Sequence, residues 1–501
     1  MNHAVILPIL LPMFVGSLLL FGARVNLPLK RALSLTATAV LVPLSLWLMA
    51  YADRGELLVY AAGNWQAPFG IVLLLDRLSA LMLTVTAVLA LFALLYAVRG
   101  DDERGRNFHA LFQFQLMGIN GAFLTGDLFN LFVFFEILLI ASYSLLLHGG
   151  GVERVRAGLH YVVLNLLGSA LFLIAVGVLY GITGTLNMSD LAVRVAAASA
   201  DQAPLLGAAG LMLLVVFGLK AAFLPLYFWL PKAYASATAP VAALFAIMTK
   251  IGLYSILRVY TLIFGDDAGS LANMADDWLW PLALATIALG AIGALAAGTL
   301  HGLLAYLVVL SVGTLLAGIA VGTPQALSAA LYYLIHSTWV AGGLFLLADL
   351  IARQRGVKQS QLIQGAALQN PNLLGGLFFI GSIAVAGMPP LSGFIGKLLL
   401  LRAVEPGWQA LFLWPVVLVS SLITLIALSR AGSTLFWRVG VSQLDSAELD
   451  YGRLLACVGL LLLSPTLVGM AAPLLQYIDA TVAQLHDLQA YRQILLPGGA
   501  P

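Results

Sequence analysis

The sequence predicts an all-α polytopic membrane protein of about 14 transmembrane helices, and three observations carry that reading. Apolar runs near 20 residues recur along all 501 residues, and each is long enough to cross a hydrocarbon core about 30 Å thick. Only 9% of the residues are charged against 61% apolar, with a mean hydropathy of +1.01, whereas an ordinary water-exposed surface needs about 25% charged residues. The few charges gather between the runs, in clusters of alternating Lys/Arg richness. The formal net charge of +2 says little about partners, because the charges are sorted by side, and no nucleic-acid partner is expected.

Taken in order, the runs occupy 4–22, 33–51, 71–98, 108–126, 128–147, 157–181, 205–230, 240–264, 278–298, 302–321, 325–350, 372–402, 409–436 and 452–475. The first, within MNHAVILPILLPMFVGSLLLFG, lacks the basic n-region and small-residue cleavage site of a signal peptide, so it reads as a retained span. Odd-numbered connections carry Arg24, Lys30 and Arg31; Arg99, Arg104 and Arg106; Arg154 and Arg156; Lys232; Arg353, Arg355 and Lys358; and Arg430, Arg438 and Arg453. The intervening ones hold only Arg54, Arg194 and Arg402, and one is acidic, with Asp266, Asp267, Asp276 and Asp277. Excess Lys/Arg marks the cytoplasmic side, so the odd connections face the cytoplasm and both termini face outward.

Two spans carry breaks. Pro225 and Pro231 interrupt GLKAAFLPLYFWLPK, and Pro389 and Pro390 interrupt AGMPPLSGFIGKLLL. Proline removes an intrahelical hydrogen bond and clashes with the preceding turn. Paired breaks at corresponding places in two halves are the pattern of an inverted repeat. The expected organisation is therefore 1–107 for spans 1–3, 108–264 for a first five-helix repeat, 278–436 for a second, and 437–501 for the last span and tail.

Four charges fall deep within these runs: Glu136, Lys220, Lys250 and Lys397. Each costs about 2.5–3.5 kcal/mol at the bilayer centre, so such residues mark ion or proton pathways. The bland alternatives are a neutral, hydrogen-bonded glutamic acid at 136 and snorkelling amines at 250 and 397. A buried amine beside a movable carboxylate can load and unload a proton near neutral pH, since a carboxylate about 4 Å away contributes roughly 4 kcal/mol at an effective dielectric near 20. His336, in LYYLIHSTWVAGGLF, reads either as a proton relay or as a neutral packing histidine. His109, His148, His160 and His301 lie near span ends, where solvated or interfacial roles are expected, and Asp76, Arg77 and Arg258 read as interfacial anchors. Cys457 sits in an apolar run and reads as packing; with one cysteine, no internal disulfide is available. No CxxC, HExxH or phosphate-binding glycine loop occurs, so no metal or cofactor is expected.

Three segments, GNWQAPFGIVLLLDRLSALM, NGAFLTGDLFNLFVFFEILLIASY and GITGTLNMSDLAV, resemble the D-type subunits of the Mrp (Pha, Mnh) multisubunit monovalent cation/proton antiporters, and the resemblance extends over essentially the whole chain. FLPLYFWLPKAY and GMPPLSGFIGKLLLL belong to the wider group that includes the antiporter-like membrane subunits of respiratory complex I and membrane-bound hydrogenases. The resemblance implies a 14-helix, inverted-repeat transporter subunit, not an enzyme. It would work in a bacterial inner membrane with the other subunits of an Mrp-type complex, exchanging Na⁺ or K⁺ for protons. It also maps the family's fifth-helix glutamate onto Glu136 and its buried lysines onto Lys220, Lys250 and Lys397. The second half departs from the pattern: the tenth helix keeps only His301 and Ser311 as relevant polar side chains, and the eleventh has Ser337 and Ala341 where relatives carry a histidine and a lysine. The route from Lys250 to Lys397 would then need His336, Ser337, Thr338 and water. Two other readings share the features: a proton-pumping subunit of a redox complex, and a structural subunit with no pathway of its own.

Overall fold

The computed structural model describes residues 2–22, 26–65, 67–440 and 448–495; Arg24 lies outside them. Among the described residues, 12 helices are long and apolar enough to cross a membrane. The two remaining expected spans take other forms. Residues 108–126 give a 17-residue helix, and 372–402 is divided into helices of 16 and 11 residues.

In chain order the helices are α1 (Leu7–Phe21), α2 (Leu27–Ala52), α3 (Arg77–Ala97), α4 (Phe108–Leu124), α5 (Leu128–Leu146), α6 (Val152–Thr183), α7 (Met188–Ala196), α8 (Ala203–Ala221), α9 (Trp229–Ser236) and α10 (Ala239–Phe245). They continue as α11 (Met248–Leu262), α12 (Asp276–Ala296), α13 (Leu300–Val321), α14 (Pro324–Gln354), α15 (Pro371–Ala386), α16 (Ser392–Arg402), α17 (Trp408–Gly432), α18 (Tyr451–Gly469), α19 (Ala471–His486) and α20 (Leu488–Leu495). The start of the expected span 71–98 is not helical. There Leu58–Ala61 (β1) pairs antiparallel with Val72–Leu75 (β2), and Asp76 then begins α3 in a capping box with Ser79, two backbone donors being satisfied reciprocally.

The enclosed centre of the bundle is α10–α11, where every residue of α10 and all but Thr261 of α11 is buried. The expected span 240–264 is itself interrupted there: Ala246 and Ile247 separate the two helices, with Ile247 N bonding to Leu244 O and Lys250 N to Ile247 O in three-residue steps. Close helix pairing uses glycine twice in the same way. A Cβ on Gly118 of α4 would stand 2.6 Å from Leu138 N of α5, and one on Gly121 would meet the Phe134 ring at 2.2 Å. Displaced by one constant interval along the chain, Gly290 and Gly293 of α12 meet Leu310 N at 2.5 Å and the Tyr306 ring at 2.1 Å on α13. Small residues let membrane helices approach to backbone contact.

The Arg-rich connections converge at one end. Arg104, Arg154, Ser236, His301 and Arg353 line a single polar cavity of about 520 Å³. Beside it, Asp101 accepts from Arg104, Arg353 and Arg453, and Asp349 accepts from Tyr96 and Arg353. Burial, reinforced by the Asp349 carboxylate, pushes Asp101 upward against these arginines. Two histidines expected to be solvated or interfacial are buried here: His109 lies 3.0 Å from the Asp102 carboxylate, and His148 lies 2.9 Å from the Asp101 main-chain oxygen. Despite its burial, Asp102 is held well below the usual carboxylate range by hydrogen bonds from Arg31 and His109.

The anchor reading of Asp76 and Arg258 is corrected, and Asp76 and Arg77 do not pair with each other. Arg77 turns to Asp53, at 3.6 Å, while Asp76 pairs with Arg258 at 2.5 Å in full burial. A charge pair at that depth belongs to the core, because neither group could stay ionised there alone.

Candidate functional site

Glu136 sits at the middle of α5, half-buried. Val133 and Ile140, one turn to either side, are exposed, so the carboxylate lies at the outer border of the bundle. Ser169 of α6 donates to its Oε1. One turn earlier on α6, Asn165 donates its Nδ2 to Tyr161 O at 2.8 Å and accepts from Lys220 Nζ at 3.2 Å through Oδ1. Glu136 and Lys220 are thus not in ion-pair contact; Asn165 and Ser169 lie between them. Neither was singled out in the sequence, because neutral polar residues within an apolar run give no distinctive signal.

Lys220 is the penultimate residue of α8, and the chain leaves the helix through Ala222 at φ +61. The last carbonyls of a helix lack internal partners and favour a cation. The Lys220 ammonium also stands 5.8 Å from the Phe135 ring centroid, within cation–π range. Pro225 lies in the turn between α8 and α9, and Pro231 lies within α9. A Cβ on Gly252 of α11 would come 2.4 Å from Ala221 N, so α11 packs directly on the end of α8. Lys220, Asn165, Trp229, Met248 and Ile251 border a cavity of about 10 Å³, enough for roughly one water.

Lys250 is fully buried on α11, two residues past the start of that helix and next to the Ile247 interruption. Its Nζ donates to Ser311 Oγ on α13 at 3.4 Å. Ser337 and Thr338, expected to help carry the onward route, instead both donate to Leu334 O of their own helix. His336 of α14 lies 2.7 Å from Ser392 Oγ at the start of α16. His301 stacks near Phe345 and borders the polar cavity at the Arg-rich end. Cys457 packs with its thiol 3.4 Å from Gly343 O.

Lys397, on α16, donates to Val385 O and Ala386 O at the end of α15, at 3.3 and 3.0 Å, and to Ser421 Oγ of α17 at 2.9 Å. Pro389 and Pro390 lie in the gap between α15 and α16. Each of the three amines therefore adjoins a helix end or interruption, and among the described residues each donates to neutral oxygens only. Gly387 fixes the last of these seats: its φ is +78, and a Cβ there would stand 2.7 Å from Lys397 Cδ and 3.2 Å from Nζ. Gly387→Ala is expected to cost about 1–3 kcal/mol by crowding, besides the left-handed backbone penalty. It should lower the melting temperature of the purified complex and slow transport together; a variant matching the parent in both would show that the seat tolerates displacement of Lys397.

A family profile described as the transmembrane region of NADH:quinone oxidoreductase/Mrp antiporter matches residues 125–424, a range that includes all five positions from Glu136 to Lys397. The D-type subunit of the probable K⁺/H⁺ antiporter of Rhizobium meliloti (strain 1021) is 42% identical, with 97% of this chain and 96% of that protein aligned. The D-type subunit of the Na⁺/H⁺ antiporter of Bacillus subtilis (strain 168) is 39% identical, with 99% and 100% aligned. Among solved structures, a chain of the Mrp complex from Dietzia sp. DQ12-45-1b superposes with a TM-score of 0.87 at 26% identity, covering 99% of this chain and 100% of that one. A chain of respiratory complex I from Thermus thermophilus gives 0.78 at 26% identity, covering 96% and 99%.

Proposed function

Since this chain belongs to the NADH:quinone oxidoreductase/Mrp antiporter membrane family, and within it stands with the D-type subunits, we propose that it is the proton-translocating subunit of a multisubunit Na⁺ or K⁺/H⁺ antiporter. Glu136, Lys220, Lys250, His336 and Lys397 carry the proton in this reading. The observation that supports it most directly is the set of three buried amines, each at a helix end or interruption and each donating to neutral oxygens. A structural cation would be paired with a carboxylate, as the guanidinium groups of Arg258, Arg353 and Arg453 are. An amine facing only neutral acceptors can lose its proton without stranding a counter-charge. The metal cation is the less suitable passenger here, because an ammonium repels it.

In this reading Glu136 and Lys220 communicate through Asn165 and Ser169. A shift of Glu136 relative to α6 changes the field at Lys220 and with it the amine's hold on its proton. The two helix breaks, Pro225 and Pro389–Pro390, serve two inverted repeats over 108–264 and 278–436, a division that the recurring glycine contacts support. The convergence of the Arg-rich connections on one polar cavity supports a cytoplasmic assignment for that end. Both termini then lie outside a bacterial inner membrane, and the chain acts in transport and not as an enzyme.

The decisive experiment measures Na⁺- or K⁺-dependent ΔpH dissipation in everted vesicles carrying the complete complex. Glu136→Gln and Lys220→Met, with assembly verified, are expected to remove it. Transport at the parental rate in both would leave the chain a structural component. The same fold also suits a proton pump powered by electron transfer in other chains. Co-purification with iron–sulfur and flavin subunits, in place of small antiporter subunits, would select that second reading.

A further inference from the structure

His336 is held from two sides within the core. Its Nδ1 lies 2.7 Å from Ser392 Oγ on α16, and Ser392 Oγ lies 2.8 Å from Ser464 Oγ on α18. Its Nε2 faces the Ala384 carbonyl near the end of α15. His336, Ser392 and Ser464 are each at most 1% exposed. A Cβ on Gly393 would come 2.8 Å from His336 Nε2 and 2.0 Å from Ala384 O, so the start of α16 approaches the imidazole at a range that only glycine permits. The same helix carries Lys397, which binds Ser421 of α17.

We propose that Ser392 and Ser464 form a reversible hydroxyl relay that lets His336 accept and release a transported proton, with Ser464 acting through Ser392 as a positioning residue. This rests on the proton-conducting reading above. A neutral imidazole that donates Nε2–H to the Ala384 carbonyl presents a lone pair at Nδ1 and must receive the Ser392 hydrogen there. Ser392 Oγ is then free to accept from Ser464. When a proton leaves the Lys250 or Lys397 ammonium for Nδ1, an N–H bond breaks at the amine and one forms at the ring, which now donates to Ser392 Oγ. The Ser392 hydrogen turns toward Ser464 Oγ, and the Ser464 hydrogen rotates away. Release reverses each rotation. Both protonation states keep the His336–Ser392–Ser464 chain intact, which matters in a dry core where a lost partner is costly. A carboxylate at either serine would only accept and would pin the ring in its charged form; a hydroxyl serves both states. The charged groups that face His336 are Lys250 on α11 and Lys397 on α16, and Tyr333 of its own helix lies against the ring at 5.5 Å.

The test compares Ser464→Ala, Ser464→Thr and Ser464→Cys in the assembled complex, with Lys220→Met as control, by cation-dependent ΔpH dissipation in everted vesicles. Ser464→Ala is expected to slow transport about fivefold to tenfold, the worth of one net hydrogen bond. Ser464→Thr should restore the rate to within about twofold, since it keeps the rotating donor. The solvent deuterium isotope effect should rise in the alanine variant alone. If the alanine variant does not assemble, Ser464→Cys, of similar volume but a weak donor, takes its place with the same expected slowing. An assembled alanine variant at the parental rate overturns the relay, and so does a threonine variant as slow as alanine, because then bulk and not the hydroxyl matters. With Lys220→Met inactive in either case, the transport reading stands; with Lys220→Met fully active, that reading falls as well.

Discussion

Replacing Lys250 by methionine is expected to slow cation-dependent ΔpH dissipation about 10²-fold or more, the range for loss of a proton-transferring group, while leaving the complex as stable as the parent. The two halves of that expectation have separate causes. Lys250 stands in the enclosed α10–α11 segment at the centre of the bundle, at 0% exposure, and its amine donates to Ser311 at 3.4 Å. Around the Asn165–Lys220 pair, on the side toward α11, the lining side chains are apolar, Met248 and Ile251 among them. Thr249 and Gln115 are buried nearby, with Thr249 Oγ1 and Gln115 Oε1 lacking partners among the described residues, but neither can hold a proton as an amine does. Removing the amine therefore interrupts the route. It also relieves the protein of a desolvated charge whose partner is neutral, and methionine fills a similar volume, so the change is neutral or favourable for folding. Melting temperature and transport are measured on the same preparation. A parental transport rate would exclude Lys250 from the route; a collapse of stability would make it a structural cation.

The ionisable residues were legible in the sequence because each is one charge in a long apolar run, a signal that needs no partner to be recognised. The interruption of α15–α16 was legible for a similar reason, through Pro389 and Pro390. The interruption before Lys250 was not: ALFAIMTK contains neither proline nor glycine, and the change at Ile247 arises from packing around a fully buried segment. Side-chain partners were the least accessible layer. Asn165 and Ser169 resemble any polar residue in a membrane helix, and the Glu136–Lys220 pair expected from charge alone is not in contact: Glu136 accepts from Ser169 and Lys220 donates to Asn165. The serine of the helix break, Ser392, was hidden by its neighbours, since prolines and glycines dominate the reading of PPLSGFIGK. One repeat signal was available in the letters: GINGAF at Gly118 and GAIGAL at Gly290 place the same glycine spacing in spans 4 and 9.

Arg258→Ala is expected to destabilise the protein by about 3–5 kcal/mol, the cost of stranding one member of a buried ion pair. Its partner, Asp76, is 0% exposed and receives Arg258 Nη1 at 2.5 Å, Tyr491 Oη at 2.6 Å and the Ser79 amide at 2.8 Å. Arg258 also donates to Tyr254 Oη, whose hydroxyl in turn donates to Phe123 O. Four distant segments thus meet around one ion pair: the start of α3, the end of α11, the end of α4 and, through Tyr491, the terminal helix α20. Without the guanidinium, Asp76 keeps two donors but no countercharge, and the site must either protonate or admit water. Tyr491→Phe removes one donor and should cost only about 1–3 kcal/mol. The double change Asp76→Asn with Arg258→Met should recover most of the loss, because it removes both charges together. Thermal melting of the purified complex, with proteolysis of the C-terminal segment as a second readout, separates these cases. An Arg258→Ala variant that melts with the parent and keeps α20 protected would mean that Asp76 is already neutral, so that the last helix is held by hydrogen bonds and apolar contact alone.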